Sequence, residues 1–166
     1  MYEVAVAVTY SVDFPWYLAR SWGLATWTHA ALCYIKEDTP SPRIIESSMW
    51  GVVERPWDEF ISGCDEYKLF RLKEELPEAN KREIIAYAWG NVGKPYHFLW
   101  LLQVAWRLIK EKWFVGALTY PAHICSSLVY DAYLYGGIDL VSGGREDILV
   151  TPDELASSPL LEEVGG

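Results

Sequence analysis

Apolar and polar residues alternate from Tyr2 to Tyr10, with Val4, Val6 and Val8 on one side, and this period of two predicts a strand. Asp13-Phe14-Pro15 breaks it, and a short helix over Trp16 to Trp22 follows, ending near Gly23. Trp27 to Ile35 predicts a second strand, with Trp27, His29, Ala31, Cys33 and Ile35 on one face. The polar, proline-containing stretch Lys36 to Pro42 reads as a turn, and Arg43 to Met49 as a third strand with Ile44, Glu46 and Ser48 on one face. Gly51 to Glu54 continues that strand or starts another. A short turn of helix at Trp57 to Ile61 and a strand at Tyr67 to Leu72 complete the first half.

The period then changes. Pro77 suits a first helical position, and Ile84, Ile85, Ala88 and Trp89 recur at helical spacing up to Gly90 or Gly93. Gly93-Lys94-Pro95-Tyr96 is a turn, and His97 to Trp113 reads as a strongly apolar helix. A helix follows Cys125, with Leu128, Val129, Ala132 and Tyr133 on one stripe, and stops at Gly136-Gly137. Thr151-Pro152-Asp153-Glu154 is a capping box that opens a last short helix. Strands first and helices second make the class α+β: a small antiparallel sheet packed against helices. The 166 residues show no linker or repeat and suit one domain over 1–166.

Composition narrows the function classes. A formal net charge of −9 disfavours a nucleic-acid partner, because phosphate contacts need clustered cations. Nine Trp leave two readings open, an aromatic core or an aromatic surface for lipid, sugar or peptide. Cys33, Cys64 and Cys125 are odd in number and lack CxxC spacing, so neither a disulfide framework nor a zinc site is indicated. The N-terminus lacks a basic, apolar leader, so the expected location is cytoplasmic, with release by lysis or non-standard export left open. The longest apolar run, Phe98 to Ile109, contains Gln103 and Arg107 and is too short to span a bilayer.

Candidate chemistry centres on Cys125. At the start of a helix, a thiol meets backbone N–H groups without intrahelical acceptors and the positive end of the dipole, which favours the nucleophilic thiolate. Such a nucleophile needs a base and a group that orients the base. Three histidines are present. His29 lies in an apolar strand, where a core role competes with a role as base. His123 is two residues before Cys125, and His97 sits at a helix start. Glu46 can share the face of His29 if their strands pair, and a carboxylate there would fix the imidazole tautomer.

The series Trp27-Thr28-His29-Ala30-Ala31-Leu32, Ile44-Ile45-Glu46, Gly93-Lys94-Pro95-Tyr96, Ile124-Cys125-Ser126-Ser127-Leu128-Val129 and Thr151-Pro152-Asp153-Glu154 resembles the circularly permuted branch of the NlpC-type papain-like cysteine hydrolases, which includes relatives of lecithin retinol acyltransferase. The resemblance implies a permuted papain-like fold with the histidine strand first and the cysteine helix late. It implies Cys125 as nucleophile, His29 as general base, Glu46 as orienting residue and Tyr96 as a contact to substrate or oxyanion, with no metal or cofactor. His97 departs from it, standing where relatives often carry Asp. The expected activity is cleavage of an amide, in a peptide or cell-wall-type substrate, through an acyl-enzyme. A lipid-directed thioesterase, phospholipase or acyltransferase with the same pair is the alternative, with interfacial lipid contact by the 98–113 stretch, and a non-catalytic binding module is the third reading. The oligomeric state is left open.

Overall fold

The computed structural model describes residues 1–11, 20, 25–48, 50–95, 125–141 and 150–165. The helices expected over Trp16–Trp22 (Arg20 apart) and His97–Trp113, together with Tyr96, His97 and His123, lie outside the described residues. Strands β1 (Tyr2–Tyr10), β2 (His29–Lys36), β3 (Thr39–Ser48), β4 (Gly51–Pro56), β5 (Glu66–Leu72) and β6 (Leu161–Gly165) form one antiparallel sheet in the order β4-β3-β2-β1-β5-β6. The helices are α1 (Trp57–Ile61), α2 (Glu78–Gly90), α3 (Cys125–Tyr135) and α4 (Pro152–Ala156). The class is α+β. Among the described residues, no helix is long and apolar enough to cross a membrane.

The two faces of the sheet are both covered, but unequally. Val6, Val8, Ala30, Leu32 and Ile45 point to α2 and α3, where Ile84, Ala88, Leu128, Val129, Ala132 and Tyr133 complete the main core. Each large aliphatic side chain fully buried there contributes about 1.5–3 kcal/mol. On the other face Ala7, Ala31, Cys33 and Ile44 are covered by Phe60 of α1. β1 is a central strand, so its residues from Val6 to Tyr10 are buried on both sides.

Several boundaries differ from the sequence reading. Between β2 and β3 only Glu37 and Asp38 form the turn, and β3 runs through Pro40 and Pro42. Proline is tolerated there because pairing with β4 begins only at Arg43↔Pro56, so the start of β3 is free of that neighbour. Trp27 precedes β2 and packs into the helix-side core, so it does not share the face of His29. Pro77 stands at the N-cap of α2, one position earlier than expected. Strand β6 went unread: its single buried residue, Leu161, gives no alternating pattern, and it forms by pairing with β5 at the sheet edge.

Helix α3 follows its pattern closely. Its stripe of Leu128, Val129, Ala132 and Tyr133 is buried. It ends in a Schellman turn, with Gly137 at φ 83°, Ile138 N–H donating to Tyr133 O at 2.9 Å and Gly137 N–H to Leu134 O at 2.9 Å.

The segment 150–154 brackets the two parts of the chain that matter for chemistry. Thr151 and Glu154 form the reciprocal capping box of α4. The Asp153 carboxylate accepts hydrogen bonds from the backbone N–H of Thr26 at 3.0 Å and Trp27 at 3.2 Å, just before β2. The buried Ser126 hydroxyl, beside Cys125, donates to Val150 O at 2.5 Å. Asp153→Ala should therefore lose about 1–2 kcal/mol of stability, the worth of charge-assisted bonds at a partly exposed site. Thermal or urea unfolding checks this, and a wild-type midpoint would rule the bracket out.

Candidate active site

His29 is the first residue of β2, so its ring sits at the end of the sheet. In register, Thr9 lies opposite it on β1. The pairs Leu32↔Ile45 and Cys33↔Ile44, continued by one step, set Glu46 opposite Ala31 and one pleat from His29 on the same face. Across that diagonal, His29 Nε2–H donates to Glu46 Oε2. The Glu46 side chain is only 4% exposed, whereas that of His29 is 24% exposed. The second carboxylate oxygen, Oε1, accepts from Arg55 Nη2 at 2.5 Å. Phe60 packs against the imidazole, with ring centroids 6.2 Å apart.

Cys125 approaches from the other side of the sheet, at the head of α3. Its sulfur and the His29 ring hydrogen-bond each other. Since Glu46 holds Nε2, the nitrogen left for the sulfur is Nδ1. The sulfur also accepts from the backbone N–H of Ala30 and Ser126. The sulfur is thus held by main chain from two elements: Ala30 follows His29 on β2, and Ser126 follows Cys125 on α3.

The electrostatics set this thiol apart. Burial alone would raise the Cys125 pKa, but the His29 charge, the His29 hydrogen bond and the two backbone donors outweigh it and hold the thiol below its ordinary value. Burial works to lower the His29 pKa, yet the Cys125 thiolate and the Glu46 carboxylate raise it to about 10. Desolvation pushes Glu46 up, and the bonds and charges of His29 and Arg55 overcome this to leave it below the usual carboxylate range. All three shifts act in the same direction, toward thiolate, imidazolium and carboxylate. The other two cysteines behave oppositely. Burial pushes Cys33 up to about 12 and also raises Cys64, whose thiol donates to Phe60 O at 3.3 Å.

Of the residues singled out in the sequence, Cys125, His29 and Glu46 meet in one hydrogen-bonded chain. Tyr96 lies outside the described residues, as does the 98–113 stretch on which the lipid-directed alternative drew. Two contributors went unread. Arg55 lies just past the expected end of its strand, and its signal was the Glu46/Arg55 spacing across a tight hairpin. Asp153 was visible only as part of a capping box. Among the described residues, no group of three or more His, Cys, Asp or Glu side chains is arranged to hold a metal ion.

Comparison with known proteins bears on the fold and the family. No curated protein matches the chain. In fold it is similar to the crystal structure of the metalloprotein yiiX from Escherichia coli O157:H7, with a TM-score of 0.71 and 16% identity, covering 97% of this chain and 94% of that one. The metal belongs to that protein's description, and the donors described here form no such cluster. Residues 17–164 match the family model of the permuted papain-like amidases, YaeF/YiiX, C92 family. That match spans most of the sequence. The chain therefore belongs to the C92 family of permuted papain-like amidases and is a cysteine hydrolase.

Proposed function

We propose that this chain hydrolyses an amide bond of a peptide-type substrate through an acyl-enzyme on Cys125, with His29 as general base and acid and Glu46 as the orienting residue. One observation carries the reading: of three thiols, Cys125 alone is held below its ordinary pKa, and its partner is an imidazole fixed by a buried carboxylate. The Cys125 thiolate attacks the carbonyl carbon, a C–S bond forms, and the carbonyl electron pair moves to oxygen. The backbone N–H of Cys125, at the head of α3, is the donor we assign to that oxyanion. The intermediate collapses, the C–N bond breaks, and His29 Nδ1 gives its proton to the departing amine. Water then attacks the thioester, Nδ1 takes its proton, and the thiolate leaves, releasing a carboxylic acid.

The resemblance to the NlpC-type branch supports a cell-wall-type peptide as the narrower substrate, and supports Tyr96 as a contact to substrate or oxyanion. Turnover of peptide amides against thioesters and phospholipids tests the reading. Amides should be preferred, and Cys125→Ala should lower their turnover by about a thousandfold or more. Preference for thioester or phospholipid would transfer the same site to lipid chemistry.

The pH dependence has a definite sign. The Cys125 pKa is depressed, so the acid limb of kcat/KM should fall below the range of an ordinary thiol. The His29 pKa is raised, so the alkaline limb should lie near 10 rather than 6.5, both limbs being properties of the coupled pair. Glu46→Gln removes the carboxylate that raises His29, so the alkaline limb should move down and the rate drop by about 10²–10⁴-fold. Iodoacetamide labelling across pH reads the thiolate directly. Ordinary thiol behaviour, unchanged in His29→Ala, would sink the proposal.

A further inference from the structure

Sheet register places one more charged group in line with the site. On β3 and β4, Ile44 pairs with Arg55 and Glu46 with Val53, so Arg55 lies one pleat from Glu46 on the same face. His29, Glu46 and Arg55 thus form a diagonal across β2, β3 and β4. Arg55 Nη2 is 2.5 Å from Glu46 Oε1, and Arg55 Cζ stands 5.2 Å from the centre of the Phe60 ring. The same ring supports His29 from below. Phe60 is 1% exposed, so a single buried side chain lies against both ends of the diagonal.

We propose that Arg55 is a positioning residue of this site: by holding Glu46 as an ionised acceptor, it fixes the tautomer and orientation of His29. This rests on the reading of Cys125 and His29 as nucleophile and base. The chemical reason is the proton cycle. When His29 has given its proton to the leaving amine it is neutral, and Glu46 then faces no charge on that side. A carboxylate as enclosed as this one needs a partner in that state too. Arg55 is charged at every working pH and donates from Nη2 to the carboxylate. Without it, Glu46 can take a proton and donate to Nε2. The proton of neutral His29 would then sit on Nδ1, the nitrogen that must accept from water during deacylation. Cys64 also lies within electrostatic reach of His29, Glu46 and Arg55, but burial keeps it a neutral thiol.

The sign follows from the same chain: a Glu46 that can take a proton no longer supports the imidazolium, and a neutral His29 no longer holds the Cys125 thiol down. In the full chain, Arg55→Gln should therefore move the pH midpoint of Cys125 labelling by iodoacetamide upward, toward an ordinary thiol. It should lower kcat/KM for the amide by about tenfold to a hundredfold, mainly in kcat, the scale of one charge-assisted hydrogen bond. In a Glu46→Gln background the same change should move the midpoint no further, because Arg55 acts through Glu46. Arg55→Met, of similar length and no charge, gives the same reading if the Gln variant does not fold. A wild-type midpoint and rate in the Arg55 variant would overturn the inference, as would a shift that persists in full without Glu46. Failure of the underlying reading looks different: wild-type Cys125 would itself titrate as an ordinary thiol.

Discussion

A carboxylate almost sealed from water is the constraint on which the rest of this site depends. Glu46 can stay ionised only where opposite charge reaches both of its oxygens, and His29 and Arg55 do so from the strands on either side. That requirement reaches back to sheet register. A slip of one residue between β2 and β3 would turn Glu46 to the opposite face of the sheet from His29 and break their contact. Burial of Ile45 and Leu32 on one face and Ile44 and Cys33 on the other opposes that slip. Hydrophobic patterning therefore fixes the alignment on which the charges rely.

The nucleophile is held by a different device. Cys125 gains its character from His29 and two backbone donors at the head of α3, and α3 is anchored by its apolar stripe to the opposite face of the sheet. The base reaches the sulfur because it occupies the first position of β2. There the strand ends, and a side chain from one face can meet a helix packed on the other. A histidine two residues further along β2 would be enclosed beneath Phe60, as Cys33 and Ala31 are.

Much of this was legible in the chain. Period-two alternation placed β1 and β2, and pairing of the strands on either side of the Lys36–Pro42 stretch was enough to let His29 and Glu46 share a face. The stripe of α3 and its glycine stop were equally plain. What escaped has physical reasons. Strand β6 carries one buried side chain and is defined by its partner, not by its own pattern. Prolines at 40 and 42 suggested a longer turn, because their tolerance depends on where β4 ends. Arg55 was missed for a similar reason: its role follows from which residue it faces diagonally, and that is set by the Ser48–Gly51 turn. Gly51 closes this turn at φ 107°, with the Lys94 carbonyl so near that a Cβ would stand 2.6 Å from it.

The bracket at 150–154 separates neighbourhood in space from order along the chain. Thr26 and Asp153 are 127 positions apart, yet they touch, and Ser126 is tied to the same short segment. The strand of the base and the helix of the nucleophile are thus fastened by hydrogen bonds to a common third piece, not by a direct peptide link. A fastening of that kind is indifferent to which of the two is spelled first. This gives a physical account of how one catalytic geometry survives with its chain order rotated: the ends of the polypeptide can be cut and rejoined elsewhere, provided the clasp is kept.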